Sequence, residues 1–342
     1  MHIKELLKKS RNTLRFETVF TEWLNFKVTL DGLSMRSYDR YLSDYARFFH
    51  PDFRFMQIPF SKIRPEDLEY FIRKSIVDNN LTNKSYSKIR LILRGVFKYA
   101  FRKGYTKLHI DLCWADMNLS ERIFAKKVCE DEMEVFTPEE EKLIIHYIDS
   151  HPADLTGQGI KLLFLTGMRI GELAALTFDD IHEQYISVSK TETFYKERDE
   201  NGNVLRIQYE IKPFPKAEAS IRSIIIPPDV HRIIDTIRLI SPHNEENFLF
   251  YGRAGRMHGA VFSQRLRNIC KALNIPPRSA HKIRKTYSTK LINSGLEKSV
   301  IIKQMGHTDF TTTDKFYYYN NLKKEAMVDR ITKALGNSHT NE

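Results

Sequence analysis

The chain has 342 residues, of which 42% are hydrophobic and 28% charged, and this length and composition suit two domains of an ordinary globular protein. Its formal net charge of +11 favours a polyanionic partner, because contacts with phosphates release condensed counterions. No segment approaches the roughly 18 consecutive apolar residues of a membrane span, and the three widely spaced cysteines predict no disulfide framework. We therefore expect a cytoplasmic protein without a membrane partner.

The first part of the chain, residues 1–117, is predicted to form a helical domain. Two segments, Ser34–Phe49 and Asn83–Lys103, carry apolar side chains at helical spacing on one side and mainly Lys or Arg on the other. Two basic amphipathic helices favour a surface that grips DNA, whereas the alternative is a charged face that contacts only solvent. The apolar positions are Tyr38, Tyr41, Leu42, Tyr45, Phe48 and Phe49 in the first segment, and Ile89, Ile92, Leu93, Val96, Phe97, Ala100 and Phe101 in the second.

A change of pattern divides the chain after this domain. Residues 118–134 contain runs of like charge without sustained periodicity and predict an exposed linker. Thr137-Pro138-Glu139-Glu140 then begins a second domain, 135–342, with a helix N-cap, a proline at the first helical position and a capping-box carboxylate. Strand character at Tyr185–Ser189 and Ser223–Ile226, with a turn at Asn201-Gly202 between them, predicts a small antiparallel sheet. The fold class is therefore α+β and mainly helical.

Arg169 is the first candidate for phosphate chemistry. An apolar run ends at Gly167, and Arg169 then stands at the start of a second helical pattern. That placement lets helix N-terminal amides and a guanidinium face one phosphate, although a solvated arginine at a helix junction is the alternative. Glu172 lies three residues further on, which makes it a partner for Arg169 rather than a base.

Further candidates lie in the last quarter of the chain. His281 and Arg284 are one helical turn apart and can face a shared ligand. Gly306-His307 is followed by Tyr317, and a tyrosine can serve as a nucleophile that forms a covalent intermediate. The phenol can attack a phosphodiester while the two guanidiniums and two imidazoles assist. These groups are sufficient without a metal, so no cofactor is expected. His307 has no second ligand at metal spacing, and a zinc site is therefore not predicted either.

Taken in order, these motifs resemble those of the tyrosine recombinases of the phage integrase family, over both the core-binding and the catalytic domain. The first arginine motif of the family corresponds to Thr166–Leu176, and its His-x-x-Arg box corresponds to His281–Arg284. Its Gly-His box, paired threonines and nucleophile correspond to Gly306-His307, Thr312-Thr313 and Tyr317. Lys216 resembles the hairpin lysine of the family, because it stands at the expected distance before a strand and Pro227.

Two positions depart from the family pattern and leave alternatives open. Ala217 stands where the family often has threonine after the hairpin lysine, and Lys212 is a nearby competitor for the role of Lys216. Family members also differ by one residue in the distance from the Gly-His box to the nucleophile. Tyr317 lies in a run of three tyrosines, and Tyr318 is therefore the main alternative.

The resemblance implies a transesterification in which Tyr317 attacks a DNA phosphate, forms a 3′-phosphotyrosyl link and releases a 5′-hydroxyl. Arg169 and Arg284 would stabilise the transition state, and Lys216 would act as general acid towards the leaving oxygen. His281 and His307 would position the phosphate or assist proton transfer. The implied function is a recombinase that integrates and excises a phage or conjugative element. A cellular Xer-like recombinase that resolves chromosome dimers and a catalytically silent DNA-binding protein of this fold are the alternatives.

The resemblance also implies partners and a setting. Double-stranded DNA with attachment or core sites would be the substrate, and a homotetramer would form the synaptic complex, with Leu322–Leu335 packed against a neighbouring protomer. An excisionase or a DNA-bending protein would be an accessory partner. We expect a bacterial, DNA-associated protein without a full arm-type DNA-binding domain before residue 13.

Overall fold

The computed structural model describes residues 14–126, 133–199, 203–213 and 221–306. Within these ranges no helix is long and apolar enough to cross a membrane. The chain forms two compact units. The first comprises Met1–Val128 together with Tyr195–Gln208, and the second comprises Cys129–Phe194 together with Tyr209–Glu342.

The first unit is built from helices around an aromatic core. Ser34 and Thr82 each cap a helix by accepting a hydrogen bond from the backbone amide three residues later, at 3.3 and 3.1 Å. In the core, the rings of Phe16 and Phe49 stack with centroids 5.1 Å apart. The helices are α1 (Phe16–Thr29), α2 (Met35–Phe48), α3 (Phe53–Gln57), α4 (Pro65–Asp78), α5 (Asn83–Arg102) and α6 (Ile110–Met117).

Both helices predicted in this unit are present, as α2 and α5. All the apolar positions predicted for them are buried or half-buried except Phe101, which is 42% exposed. The prediction for Phe101 was wrong because the buried stripe of α5 continues through Tyr99, which packs on Phe26 with ring centroids 5.6 Å apart. The basic side chains predicted to point outward, from Lys84 to Arg102, are exposed.

The first unit extends further along the chain than the sequence predicted. Leu119, Ile123 and Phe124 pack against its core, although they fall in the predicted linker. The segment Tyr195–Gln208, which includes parts of the paired strands Lys190–Arg198 and Val204–Pro213, also belongs to this unit. There Arg198 donates a hydrogen bond of 2.7 Å to the carboxylate of Asp39.

The second unit has the helix α8 (Leu155–Thr166) at its centre, packed against α7 (Pro138–Asp149), α10 (Pro228–Ile240), α11 (Gly259–Ala272) and α12 (Ala280–Asn293). The predicted capping box at the start of α7 is present, since Thr137 accepts from the amide of Glu140 at 3.2 Å and Glu140 accepts from the amide of Thr137 at 2.8 Å. Its elements, with β2 and β3 shared with the first unit, are α7 (Pro138–Asp149), α8 (Leu155–Thr166), α9 (Ile170–Ala175), β1 (Tyr185–Val188), β2 (Lys190–Arg198), β3 (Val204–Pro213), β4 (Arg222–Ile225), α10 (Pro228–Ile240), β5 (Tyr251–Gly252), β6 (Gly255–Arg256), α11 (Gly259–Ala272), α12 (Ala280–Asn293) and α13 (Lys298–Met305).

The strands form three two-stranded sheets in the described ranges: β1 with β4, β2 with β3, and β5 with β6. The antiparallel pair of β1 and β4, with Tyr185 opposite Ile225, confirms the strands predicted there. Neither β2 nor β3 was predicted. β2 is mostly polar, whereas residues 206–212 of β3 alternate polar and apolar side chains, a strand signal that the prediction overlooked. Cross-strand polar contacts join the two strands, such as the 2.6 Å pair of Arg206 and Glu197. The predicted turn at Asn201-Gly202 lies outside the described residues.

Candidate active site

Arg169 owes its position to a tight turn between α8 and α9. Gly167 ends α8 in the left-handed region, at a φ of 62°. A Cβ at this position would lie 2.1 Å from Cδ1 of Tyr287. Only glycine therefore fits here, because any side chain would clash with that ring. Arg169 follows as the N-cap residue of α9, which confirms that it stands at the start of a helix.

Glu172 fixes the direction of Arg169. Its carboxylate is almost fully buried and accepts hydrogen bonds from the backbone amide and from Nη1 of Arg169, at 2.7 and 2.8 Å. On its other side it accepts from Nη1 and Nη2 of Arg222, at 3.1 and 2.7 Å. Burial alone would raise the pKa of Glu172, but the hydrogen bond and charge of Arg222, together with Arg169, lower it to about 2. Glu172 is therefore ionised at neutral pH and serves as a partner rather than a base.

Arg284 and His281 project from the first turns of α12. The guanidinium of Arg284 is buried and donates to the backbone oxygen of Gly167 at 2.7 Å and to that of Met305. Burial and the charge of Arg169 lower the pKa of Arg284 to about 9, which leaves it charged at pH 7. The His281 side chain reaches solvent, but desolvation by the surrounding protein and the charge of Lys285 lower its pKa below the ordinary imidazole value. His281 is consequently neutral at pH 7.

The structure brings these residues together with the start of the Gly-His box. Gly306 follows α13 at a φ of 60°, and its backbone oxygen accepts a bond of 3.4 Å from Nη2 of Arg169. Arg284 binds the preceding carbonyl, that of Met305. Both arginines are thus fastened to the two residues that precede His307.

Several sequence-predicted site residues lie outside the described ranges, and the competing lysine lies within them. Lys212 belongs to β3 and pairs with Glu210 at 2.8 Å. The residues outside are Lys216, His307, Tyr317, the alternative Tyr318, the paired Thr312-Thr313 and the segment Leu322–Leu335.

Two charged groups beside the site are not evident from the sequence. Arg222 stands alone in a strand, and nothing in the sequence shows that its guanidinium is buried against Glu172. Glu134 falls in the predicted linker, yet it is buried and pairs with Lys282, which lies within the His-x-x-Arg box of α12, and with Lys285, which follows it. Burial alone would raise the pKa of Glu134, but the hydrogen bonds and charges of the two lysines lower it to about 2.

The site as described is built to bind an anion. The guanidiniums of Arg169 and Arg222 both donate to the carboxylate of Glu172, and the buried guanidinium of Arg284 interacts with the charges of all three groups. The Arg169 side chain is 43% exposed, so part of this positive charge faces solvent. Planar guanidiniums of fixed orientation suit the paired oxygens of a phosphate. In the described ranges, no three His, Cys, Asp or Glu side chains are grouped to hold a metal ion.

A scan against family models matches residues 134–325, more than half of the chain, to the phage integrase family. The chain belongs to the phage integrase family. This match covers the described arginines and histidine, and it confirms the resemblance drawn from the order of the motifs. The family comprises tyrosine recombinases, which cleave and rejoin DNA.

Named relatives include integrases and Xer recombinases. The ICEBs1 integrase of Bacillus subtilis (strain 168) is 25% identical over 87% of this chain and 76% of its own. A XerC-like tyrosine recombinase of Caldanaerobacter subterraneus subsp. tengcongensis is 28% identical over 69% of this chain and 62% of its own. This integrase-family chain is therefore similar both to the integrase of a mobile element and to a Xer protein.

Solved structures show the same fold. The Tn1549 transposon integrase in complex with transposon right end DNA has a TM-score of 0.68 and 18% identity, and the match covers 94% of this chain and 100% of that one. A lambda integrase tetramer bound to a Holliday junction has a TM-score of 0.62 and 16% identity, over 91% of this chain and 80% of that one. These matches confirm the predicted, mainly helical fold class of the family.

Proposed function

We propose that this protein itself cleaves and rejoins DNA at specific sites through a 3′-phosphotyrosyl intermediate. The observation that carries the proposal is the fixed pair of guanidiniums. Arg169 is held by Glu172, Arg284 is held by the carbonyl of Gly167, and both bind the backbone that leads to His307. Donors held in place before the reaction need no reorganisation when charge develops on phosphate oxygens.

The proposed chemistry exchanges one phosphoester for another. The hydroxyl oxygen of Tyr317 attacks the phosphorus, the bond from phosphorus to the 5′ oxygen breaks, and Lys216 gives that oxygen a proton. The tyrosine proton passes to a neutral imidazole, a state that the lowered pKa of His281 favours at pH 7. Because each broken ester is replaced by another, the reaction needs no nucleotide hydrolysis. Loss of either fixed arginine donor would cost roughly a hundred- to thousandfold in rate.

The remaining parts of the chain receive matching roles. We assign residues 1–117 to a core-type DNA-binding domain, since the exposed side of α5 presents a series of lysines and arginines. Residues 118–134 would connect it to the catalytic domain, 135–342. The lambda integrase tetramer supports an assembly of four protomers on DNA, in which Leu322–Leu335 would pack against a neighbour. An excisionase or a DNA-bending protein would complete the system.

The biological setting that we propose is integration and excision of a phage or conjugative element. The similarity to the ICEBs1 integrase over most of both chains supports it. The XerC-like relative supports a second candidate, a cellular recombinase that resolves chromosome dimers with the same chemistry. The DNA flanking the coding region separates the two, because attachment sites beside the gene are expected only for the element.

The cleavage activity is tested with a nicked suicide substrate that carries the protein's own site. The wild-type protein and the matched control Tyr318→Phe should form a covalent adduct with the DNA. Tyr317→Phe should bind the same DNA with unchanged affinity and form none, because it lacks the attacking oxygen. An adduct that persists in Tyr317→Phe and vanishes in Tyr318→Phe would transfer the role to Tyr318. Binding without any adduct in the wild type would indicate a catalytically silent DNA-binding protein.

A further inference from the structure

Arg222, the first residue of β4, makes a further hydrogen bond in addition to its ion pair with Glu172. Its side chain is 5% exposed, and it donates from Nη1 and Nη2 to both carboxylate oxygens of Glu172. Its Nε donates to the backbone oxygen of Gln304, at 3.2 Å. Burying an ion pair adds little net stability compared with apolar side chains of the same size, so stability alone gives no reason for this arrangement.

Gln304, near the C-terminal end of α13, also binds the last residue of β4. Its side-chain oxygen accepts from the amide of Ile225 at 3.1 Å, and its side-chain nitrogen donates to the carbonyl of Ile225 at 2.8 Å. The same nitrogen donates to the hydroxyl of Tyr287 at 2.9 Å. The end of α13 is therefore attached to β4 at both ends of the strand.

Gly306 completes the arrangement. A Cβ at this position would lie 2.6 Å from Cδ of Arg222 and 3.0 Å from its Nε. The stem of Arg222 thus occupies the space where residue 306 would carry a side chain. The backbone directly before His307 lies against Arg222 for that reason.

These contacts connect Arg222 indirectly to both arginines of the site. Through Glu172 it sets the direction of Arg169, and through Gln304 and Gly306 it sets the backbone to which Arg169 and Arg284 also bind. Arg222 itself is buried and contacts these groups rather than solvent.

We propose that Arg222 is a positioning residue of the recombination site: it holds Glu172 against the end of α13 and so fixes Arg169 and Arg284 relative to the segment before His307. The inference rests on the proposed function, because the geometry that it protects is that of phosphate binding. Arg222 acts through Glu172 and the backbone, without touching the scissile phosphate.

The test compares Arg222→Lys with the matched control Arg265→Lys. Lysine keeps the charge but cannot bind both oxygens of Glu172 and the carbonyl of Gln304 at once. Arg265 is half-buried, at 27% exposure, and pairs with Asp154 at 2.6 Å rather than with a residue of the site. Arg222→Lys should bind DNA as the wild type does but cleave the suicide substrate at least about tenfold more slowly at a temperature well below its Tm. Arg265→Lys should cleave within about twofold of the wild type.

A double-mutant cycle separates positioning from general destabilisation. If Arg222 acts through Glu172, the protein with both Arg222→Lys and Glu172→Gln should cleave no more slowly than the slower single variant. Independent effects, which would multiply, contradict the inference. It is also overturned if folded Arg222→Lys cleaves within about threefold of the wild type.

Inorganic orthophosphate supplies a second measurement that does not depend on cleavage. At ten times its Kd, phosphate bound by Arg169 and Arg284 should raise the Tm of the wild type by roughly 3–6 °C. The shift should persist in Arg265→Lys and disappear in Arg222→Lys. If the wild type forms no adduct, the proposed recombinase activity fails, but the rise in Tm with phosphate still decides whether Arg222 positions the arginines. An equal rise in Tm for Arg222→Lys and wild type overturns the inference.

Discussion

Replacing Glu172 with glutamine tests whether its negative charge stabilises the buried guanidiniums of the site. The substitution keeps the size of the side chain and removes its negative charge. The guanidinium of Arg222, 5% exposed, would then remain buried beside Arg169 and Arg284 without a counter-charge. Removing one member of a buried ion pair costs roughly 3–5 kcal/mol, because the other charge stays desolvated.

The pH dependence of the effect follows from the pKa of Glu172. Folding lowers this pKa from 4.5 to about 2, so the folded state holds the ionised form more tightly than the unfolded chain does. The stabilisation is therefore complete above about pH 4.5 and is lost as the pH falls towards 2. This pKa shift contributes about 3 kcal/mol to the free energy of unfolding, since each pKa unit is worth about 1.4 kcal/mol.

The assay is the free energy of unfolding of wild type, Glu172→Gln and the exposed control Glu183→Gln, from urea titrations between pH 7 and pH 2.5. At pH 7, Glu172→Gln should lose roughly 3–5 kcal/mol and unfold about 10 °C lower, whereas the control should match the wild type. The gap between Glu172→Gln and wild type should narrow by about 3 kcal/mol as the pH falls. A constant gap across this range, or a loss below about 1 kcal/mol at pH 7, would refute the assigned role of the carboxylate.

Two further changes test the elements around the site. Gly167→Ala should lower the free energy of unfolding by about 2–4 kcal/mol, since it combines a left-handed backbone with a clash against Tyr287. Gly295→Ala, at a φ of 79° in open space, should cost only about 1–2 kcal/mol, and equal losses in urea titrations would contradict the clash. Glu134→Gln should release the two lysines of α12 to bind DNA phosphates. The slope of log K against log salt concentration for DNA binding should then steepen by about 1–2. An unchanged slope in binding titrations would show that these lysines do not reach phosphates.

The parts of the fold that depend on local pattern were predictable from the sequence. The helical spacing in α5 and the capping box at Thr137 specify their elements with neighbouring residues alone. The same holds for the placement of Arg169 at the start of α9 and of His281 and Arg284 one turn apart on α12. Each of these positions follows from residues within one or two helical turns.

The residues that the sequence did not reveal depend on distant partners. Arg222 and Glu172 are 50 positions apart, and Glu134 meets Lys285 across 151 positions. A buried charge looks like a surface charge until its partner is known, which is why both escaped prediction. Strand β2 escaped prediction because it is mostly polar and is specified by its pairing with β3, whereas the alternating residues 206–212 of β3 are a local signal that was overlooked.

The division of the chain into units has a consequence for how the protein can be cut. Because Tyr195–Gln208 belongs to the first unit, the backbone passes between the units three times, after Val128, after Phe194 and after Gln208. Cleavage after Val128 detaches residues 1–128 but leaves Tyr195–Gln208 attached to the second unit, and cleavage at either later crossing leaves residues 1–128 attached to residues 129–194. A fragment that ends at Val128 lacks the partner of Asp39, Arg198, and would be an incomplete version of its unit. No single cut of the chain therefore separates the two units completely.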